Sequence, residues 1–409
     1  MRFGNFMAPF HPVGQNPTLA LERDLDLIVT MDRLGFHEAW VGEHHSAGYE
    51  IIASPEVFIG IAAERTKHIK LGTGVSSLPY HHPLLLADRM VLLDHLTRGR
   101  VMLGCGPGQL TSDAHMLGIP ADEQRPRMEQ CLDAIMRLLR GETVTMHTDG
   151  FTLQDARLQL QPYSDPCFDV AVAASFSPTG PRGAGKHGIG MLSVAATAKQ
   201  GMDLLAHHWK TWEEVALEHG HVADRSKWRL VGPMHLADTR EQAARDVEYG
   251  IAEFSRYFKH ILPAGPVQGD TVAEIIANNR EFGFSVIGTP DDAIAKIEEL
   301  VEASDGGFGA FLLMDNDWAP PAAKLHSYEL FAQYVIPHFT GQLAGPAASH
   351  DWVVGSGTQF VDRAAHAIGK AIDDHAAEQE ARQAPAATLR RRSEWPPPCR
   401  RGPLVVSMC

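Results

Sequence analysis

Three adjacent side chains carry the first chemical suggestion: Glu43, His44 and His45 follow the short apolar run EAWVG at residues 38–42. An imidazole ordinarily titrates near 6.5, so a histidine placed at a strand end can give or take a proton at working pH. Taken alone, His44 reads first as a core histidine satisfied by Glu43 or a backbone carbonyl. Two more pairs, His81/His82 and His207/His208, raise the question of a metal. Adjacent residues on an extended strand point to opposite faces, so such a pair does not present both rings to one ion. HxH after the first strand and HExxH are both absent, and no metal is expected. His207/His208 falls in a helical stretch and reads as structural.

Three glycine- or serine-rich segments could hold a ligand. LGCGPGQL at 103–110 departs from a dinucleotide fingerprint, because Gly108 comes one residue early and Pro107 interrupts the loop. Gly104 and Gly106 make better sense as backbone that must approach a flat ligand closely. LGTGV at 71–75, with Thr73, Gly74 and Val75, suits a bulge or strained peptide at a strand end. AVAASFSPTGPRGAGK at 171–186 has the form of a phosphate cradle: Ser175, Phe176, Ser177 and Thr179 precede a helix whose first amides carry partial positive charge. Arg182 and Lys186 could add a full charge there.

These residues need a scaffold, and the chain supplies a recurring one. Apolar runs at 2–7, 38–42, 69–75, 101–105, 168–174, 189–194, 228–236 and 308–313 alternate with amphipathic stretches at 18–34, 55–66, 84–97, 124–139, 200–219, 239–260 and 290–303. Eight β-then-α units point to a closed (β/α)8 barrel, although a doubly wound open sheet gives much the same local pattern. In a barrel the active site lies at the carboxyl ends of the strands. Those ends read Met7, Glu43 to His45, Thr73 to Ser77, Gly104 to Gly108, Ala174 to Ser177, Ser193 and Asp315. Long connections at 107–123, after the fourth strand, and 261–288, after the seventh, read as binding loops or lids.

Bulk composition narrows the partners. The 409 residues carry Lys+Arg 36 against Asp+Glu 50, a net charge of -14, which argues against a general nucleic-acid surface. Five cysteines without CxxC spacing suggest neither a disulfide framework nor a zinc knuckle, and a reducing compartment fits best. Neither a signal-peptide pattern nor an apolar run of membrane length is evident, so a cytoplasmic protein is expected. The expected organisation is a barrel over 1–342, a helical extension over 343–381 and an arginine- and proline-rich disordered tail over 382–409.

Together, RFGNFM at 2–7, WVGEHH at 40–45, ASPE at 53–56, LGTGVSSLPYHHP at 71–83, DRMVLLDHLTRGR at 88–100, RLLRGETVT at 137–145, GMLSVA at 190–195 and VIGTP at 286–290 resemble the bacterial luciferase-like flavin monooxygenases. The resemblance covers about residues 1–380. It implies a (β/α)8 barrel, usually dimeric, that takes reduced FMN from a separate NAD(P)H-dependent flavin reductase. Gly74-Val75 matches a peptide often cis beneath the flavin, and His44 matches a histidine that supports formation and protonation of the flavin's oxygen adduct. Gly106 and Pro107 stand where the family's luciferases have a reactive cysteine and a phosphate-reaching arginine. Cys105 is displaced by one position and inherits no role. Ala174 replaces an acid, which leaves phosphate binding to Ser175 and nearby amides.

The expected reaction is insertion of one oxygen atom into a small apolar substrate, terpene-sized. Glu43, Thr73, Gly74, Val75, Gly106, Ser175, Phe176, Ser177 and Ser193 would hold the cofactor, and His44 would move the proton. Met7, Phe10, His82, Met116, Leu117, Phe176 and Trp318 would line the substrate pocket, and His45 would brace the second loop. An alkene would give an epoxide, a ketone an ester, and a deazaflavin-dependent dehydrogenase on the same barrel is the alternative chemistry.

Overall fold

The computed structural model describes residues 1–8, 10–261 and 267–383. Its strands are β1 Arg2–Met7, β2 Glu38–Val41, β3 Lys70–Ser77, β4 Val101–Gly106, β5 Val144–His147, β6 Thr152–Ala156, β7 Asp169–Ala174, β8 Gly190–Ser193, β9 Trp228–Gly232, β10 Met234–Leu236, β11 Val286–Gly288 and β12 Ala310–Met314. Eight of them close into a barrel in the order β1-β12-β9-β8-β7-β4-β3-β2. Every neighbouring pair is parallel, with closure through Arg2 opposite Ala310 and Gly4 opposite Glu38. The expected (β/α)8 fold is therefore observed.

The helices that alternate with the strands start and stop on chemistry visible in the chain. Helix α1, Pro17–Leu34, opens with Asn16 accepting from the amides of Thr18 and Leu19, places Pro17 in its first turn, and ends on Gly35 at φ 82°. It is followed by α2 Pro55–Arg65, α3 Pro83–Thr97, α4 Thr111–Met116, α5 Gln124–Leu139 and α6 Thr179–His187. Strand side chains alternate between two dry layers. Phe3 and Met7 face the helices, whereas Phe6, Trp40, Met102, Ala171, Leu192, Val231, Leu312 and Met314 fill the lumen. Trp40 needs the bare backbone of Gly72, where an added Cβ would lie 2.6 Å from the indole.

The amino-terminal end of the lumen is closed by charge. Arg229 donates to Glu38 at 2.7 Å and to Asp169 at 3.1 Å, and Arg2 donates to the other oxygen of Glu38 at 2.7 Å. Trp40 Nε1 donates to Glu38 at 3.0 Å, and the Arg229 guanidinium lies 5.0 Å over its ring. Burial alone would raise the Glu38 pKa, but the two guanidiniums outweigh it and hold it at about 2.

Several boundaries differ from those expected. The run 228–236 is two strands: Pro233 has no N–H for the ladder, and beyond it β10 leaves the barrel to pair with β11. The stretches 200–219 and 239–260 each break, into Lys199–Met202 with Leu205–Glu218 and Arg240–Val247 with Ile251–Ile261. An antiparallel hairpin, β5 with β6, lies in the connection after α5. The 107–123 connection contains α4, and the 261–288 connection contains the helix Val272–Glu281, opened by a Thr271/Glu274 capping box.

A second compact unit begins at Leu343. It holds the helices Ala344–Gly355 and Gly357–Gln383, with Trp352 against Phe360 at 4.9 Å between ring centres. The tail expected to be disordered lies, from residue 384 onward, outside the described residues.

Candidate active site

The carboxyl ends of the strands bring the chemically suggestive residues onto one rim. After β2 the chain turns so that the His44 amide is held by the carbonyl of Ile52 at 3.1 Å. The ring then sits between two carboxylates: Nδ1 is 3.2 Å from Asp113 Oδ2, and Nε2 is 3.3 Å from Glu50 Oε2. Asp113 comes from α4, and it also accepts from the His45 amide at 3.2 Å and from the Ser46 hydroxyl. Nδ1 is hydrogen-bonded to Asp113, and Nε2 stands at ion-pair distance from Glu50, so carboxylates on both sides favour the charged form of the ring. Burial works against that charge, but Glu50, Asp113 and Glu43 outweigh it and raise the His44 pKa. For Asp113, burial is likewise opposed by the bonds from His44, Ser46 and the His45 amide, and its pKa is lowered.

Glu43 is fully buried beneath this pair and ties β2 to β3. It accepts from the Ser77 amide at 2.9 Å, from His81 Nε2 at 2.9 Å and from His45 Nε2 at 2.9 Å. Burial raises a carboxyl's pKa, and here the two imidazoles and the Ser77 amide reverse the sign. The bond from Glu43 in turn raises the pKa of His45, whose ring meets Tyr80 of the following loop edge-on at 5.9 Å. Glu43 thus organises the rim from below.

The floor beside His44 is the end of β3. Gly74-Val75 is a cis peptide, and the ladder with β4 slips between Thr73 and Ser76. Thr73 covers the gap: its hydroxyl donates to the Gly104 carbonyl and accepts from the Gly104 amide, both at 3.0 Å. The Val75 side chain occupies the space left by Gly106, where a Cβ would fall 2.5 Å from it. Ser76 Oγ is buried and has no protein partner among the described residues.

After β7 the segment 175–178 leads directly into α6. Helix α6 begins at Thr179 without a side-chain cap, and no hydrogen bond within the described residues uses the hydroxyls of Ser175, Ser177 or Thr179. Ser175 and Phe176 are exposed and Ser177 is half-buried. Gly180 packs so close to Ala174 that a Cβ would lie 2.5 Å from it, which keeps the helix start against the strand end. Open hydroxyls at an uncapped helix start suit an anionic phosphate. Lys186 is turned toward Asp133 at 3.9 Å, so of the two cations only Arg182 has no ion partner among the described residues.

Other expected residues lie elsewhere. Met7 is in the helix-facing core on the far side of β1 from the lumen. Ser193 Oγ accepts from Trp228 Nε1 at 2.9 Å, which commits it to the outer layer rather than the cradle. His82 faces the β5–β6 hairpin, with Nε2 3.3 Å from the Thr152 carbonyl, because its neighbour His81 takes the inward direction. Met116 and Leu117 are exposed. Phe10 and Trp318 do meet, through Phe254, at 5.4 and 5.2 Å between ring centres, in an aromatic wall that includes Tyr49 and Tyr257. Burial pushes the Cys105 thiol well above its usual pKa, so it is inert at neutral pH. Among the described residues no cluster has the makings of a metal site.

Asp113, Glu50 and Tyr257 are not picked out by sequence reasoning, and His81 is weighed there only as half of a candidate metal pair. Asp113 offered one signal, an acid within a long loop after the fourth strand; the others are ordinary residues until folding brings them to His44.

Comparison with known proteins agrees with this architecture. The family described as luciferase-like monooxygenase matches residues 1–305. Limonene 1,2-monooxygenase of Rhodococcus erythropolis is 50% identical over 360 residues, covering 88% of this chain and 92% of that protein. 4-Hydroxyprotoasukamycin monooxygenase of Streptomyces nodosus subsp. asukaensis is 45% identical over 355 residues, 86% of this chain and 95% of the relative. Among solved structures, the oxygenating constituent of 3,6-diketocamphane monooxygenase from Pseudomonas putida, a type II Baeyer-Villiger enzyme in complex with FMN, superposes with a TM-score of 0.68 at 24% identity, covering 82% of this chain and 98% of that one.

Proposed function

The chain belongs to the luciferase-like monooxygenase family, and from that premise we propose that it uses reduced FMN and O2 to insert one oxygen atom into a small apolar molecule, with epoxidation of a monoterpene such as limonene as its reaction. The observation that carries the reading is the His44 imidazole, set between two carboxylates on the same rim as the Gly74-Val75 floor and the open segment before α6. The residues fit the cofactor: Ser175, Ser177 and the first amides of α6 would hold its phosphate, and the bare backbone of Gly74 and Gly106 would admit a flat ring. Reduced flavin supplies two electrons, so that one atom of O2 enters the substrate and the other leaves as water.

The chain's own residues do the rest. His44, whose charged form the flanking carboxylates favour, can deliver a proton from Nε2, while Asp113 fixes the ring through Nδ1. Phe10 and Trp318, buried in one aromatic cluster, back the rim with apolar side chains that would keep water from it. A separate NAD(P)H-dependent reductase would deliver the flavin. A homodimer is supported by α2 and α3, which expose Val57, Ile61, Leu85, Leu92 and Leu96 side by side. No helix of the described residues is long and apolar enough to cross a membrane. The described cysteines are all free, in keeping with a cytoplasmic location.

The test supplies the protein with reduced FMN, labelled O2 and a panel of terpenes and ketones. Label in a terpene epoxide is the expected result. Label only in an ester would move the assignment to ketone oxidation, and product formed without O2, using a deazaflavin, would end the monooxygenase reading.

A further inference from the structure

Two hydrogen bonds join the His44 loop to the Ile251–Ile261 helix in a crossed pattern. Tyr49 Oη donates to Glu253 at 2.9 Å, and Tyr257 Oη donates to Glu50 at 2.7 Å. Residues 253 and 257 are four apart and share one face of the helix, while 49 and 50 are neighbours in the loop. Each side therefore contributes one phenol and one carboxylate. Tyr49 and Tyr257 pack on each other at 4.6 Å between ring centres, and Phe10 lies against both at 5.0 and 5.3 Å. The Glu50–Tyr257 bond is buried, so neither partner has water as a ready substitute.

Glu50 uses its two oxygens in two directions. Oε1 takes the Tyr257 phenol, and Oε2 faces Nε2 of His44 at 3.3 Å. Turning the carboxylate toward one partner changes its aim at the other. We propose that Glu50 and Tyr257 are positioning residues: the crossed clasp aims the Glu50 carboxylate at Nε2 of His44, so that the helix and the imidazole respond as one unit. The proposal rests on the assignment of His44 given above and adds a source of control over it. Groups facing His44 are Asp113 from α4, Glu43, His45 and Glu50 from its own loop, and, through Glu50, Tyr257 from the helix. Asp113 holds Nδ1 whatever the helix does. Among the described residues Nε2 faces only Glu50, so losing the Tyr257 bond loosens the one carboxylate that steadies a proton there.

The experiment follows the His44 imidazole by NMR in isotopically labelled, flavin-free protein across pH, in the parent, Glu50→Gln, Tyr257→Phe and the double variant, with thermal melts as a check on folding. Glu50→Gln moves the midpoint to lower pH, Tyr257→Phe moves it less, and the double variant matches Glu50→Gln alone, as expected for residues acting in series. With reduced FMN, turnover of Glu50→Gln falls about tenfold while the substrate KM stays within about twofold. An unmoved midpoint in Glu50→Gln, or effects of the two changes that add in full, overturns the clasp. A moved midpoint with normal turnover leaves the clasp standing and removes His44 from the chemistry. Loss of turnover in His44→Ala beside an unmoved midpoint in Glu50→Gln does the reverse.

Discussion

The two ends of this barrel handle charge in opposite ways. At the amino-terminal end, Arg229 and Arg2 meet Glu38 and Asp169, and Lys70 stands 3.7 Å from Asp169. Each carboxylate there faces a cation that keeps its charge at any physiological pH. At the carboxyl-terminal rim, Glu43, Glu50 and Asp113 face His44, His45 and His81. Imidazoles supply positive charge only by holding protons. The first end is therefore a plug whose electrostatics are fixed, and the second is a store of protons that can be moved. The same kinds of acid serve both because their partners differ.

The sharpest way to break this contrast is Arg229→Ala, which takes from Glu38 its buried partner, leaves it only the partly exposed Arg2 as a cation, and should cost about 3 kcal/mol, read as a fall in thermal or denaturant midpoint. Stability within about 1 kcal/mol of the parent would mean the plug is not an ion-paired core. His44→Ala should do the opposite: turnover falls on the order of a hundredfold while FMN affinity hardly changes and the melting temperature drops far less than in Arg229→Ala. Asp113→Asn keeps the shape but removes a charge from Nδ1, and turnover should fall about tenfold, with the pH profile displaced to lower pH. Ser175→Ala should weaken FMN binding about threefold, measurable by fluorescence quenching, without touching either end's titration.

The smallest expected effect is on pH-dependent stability. His44 and His45 have raised pKa values in the fold, so their contribution is fully present below about 6.5 and fades as pH rises past those raised values. Glu38, held at about 2, contributes above its ordinary 4.5 and loses that contribution only as pH falls toward 2. Chemical denaturation at pH 6 and pH 9 should thus show a modest loss at the higher pH that His44→Ala reduces. An identical slope in that variant would separate the rim from the effect.

Much of this was legible in the chain, for identifiable reasons. Strand and helix order follow from apolar runs and caps that act locally, such as Asn16 and Gly35 around α1. Glu43 to His45, Gly74-Val75 and Ser175 to Ser177 were visible because each segment is contiguous. What escaped was set by distance or by side-chain direction. His44 and Asp113 are separated by 69 positions, and Tyr257 lies 207 beyond Glu50. His81 rather than His82 turns inward, a choice decided by the turn Leu78–Tyr80 before them. The β5–β6 hairpin was announced by Asp149-Gly150 between alternating residues, and the break at Pro233 by the missing amide. Both signals were local, and both were hidden by longer apolar stretches that dominated the pattern.

The contact between Val75 and Gly106 ties the two positions together. A side chain at 106 would meet the Val75 methyl first, so any residue larger than glycine there requires Val75 to shift or shrink. A thiol at 106 would thus share its space with the very methyl that now covers the bare backbone of this floor.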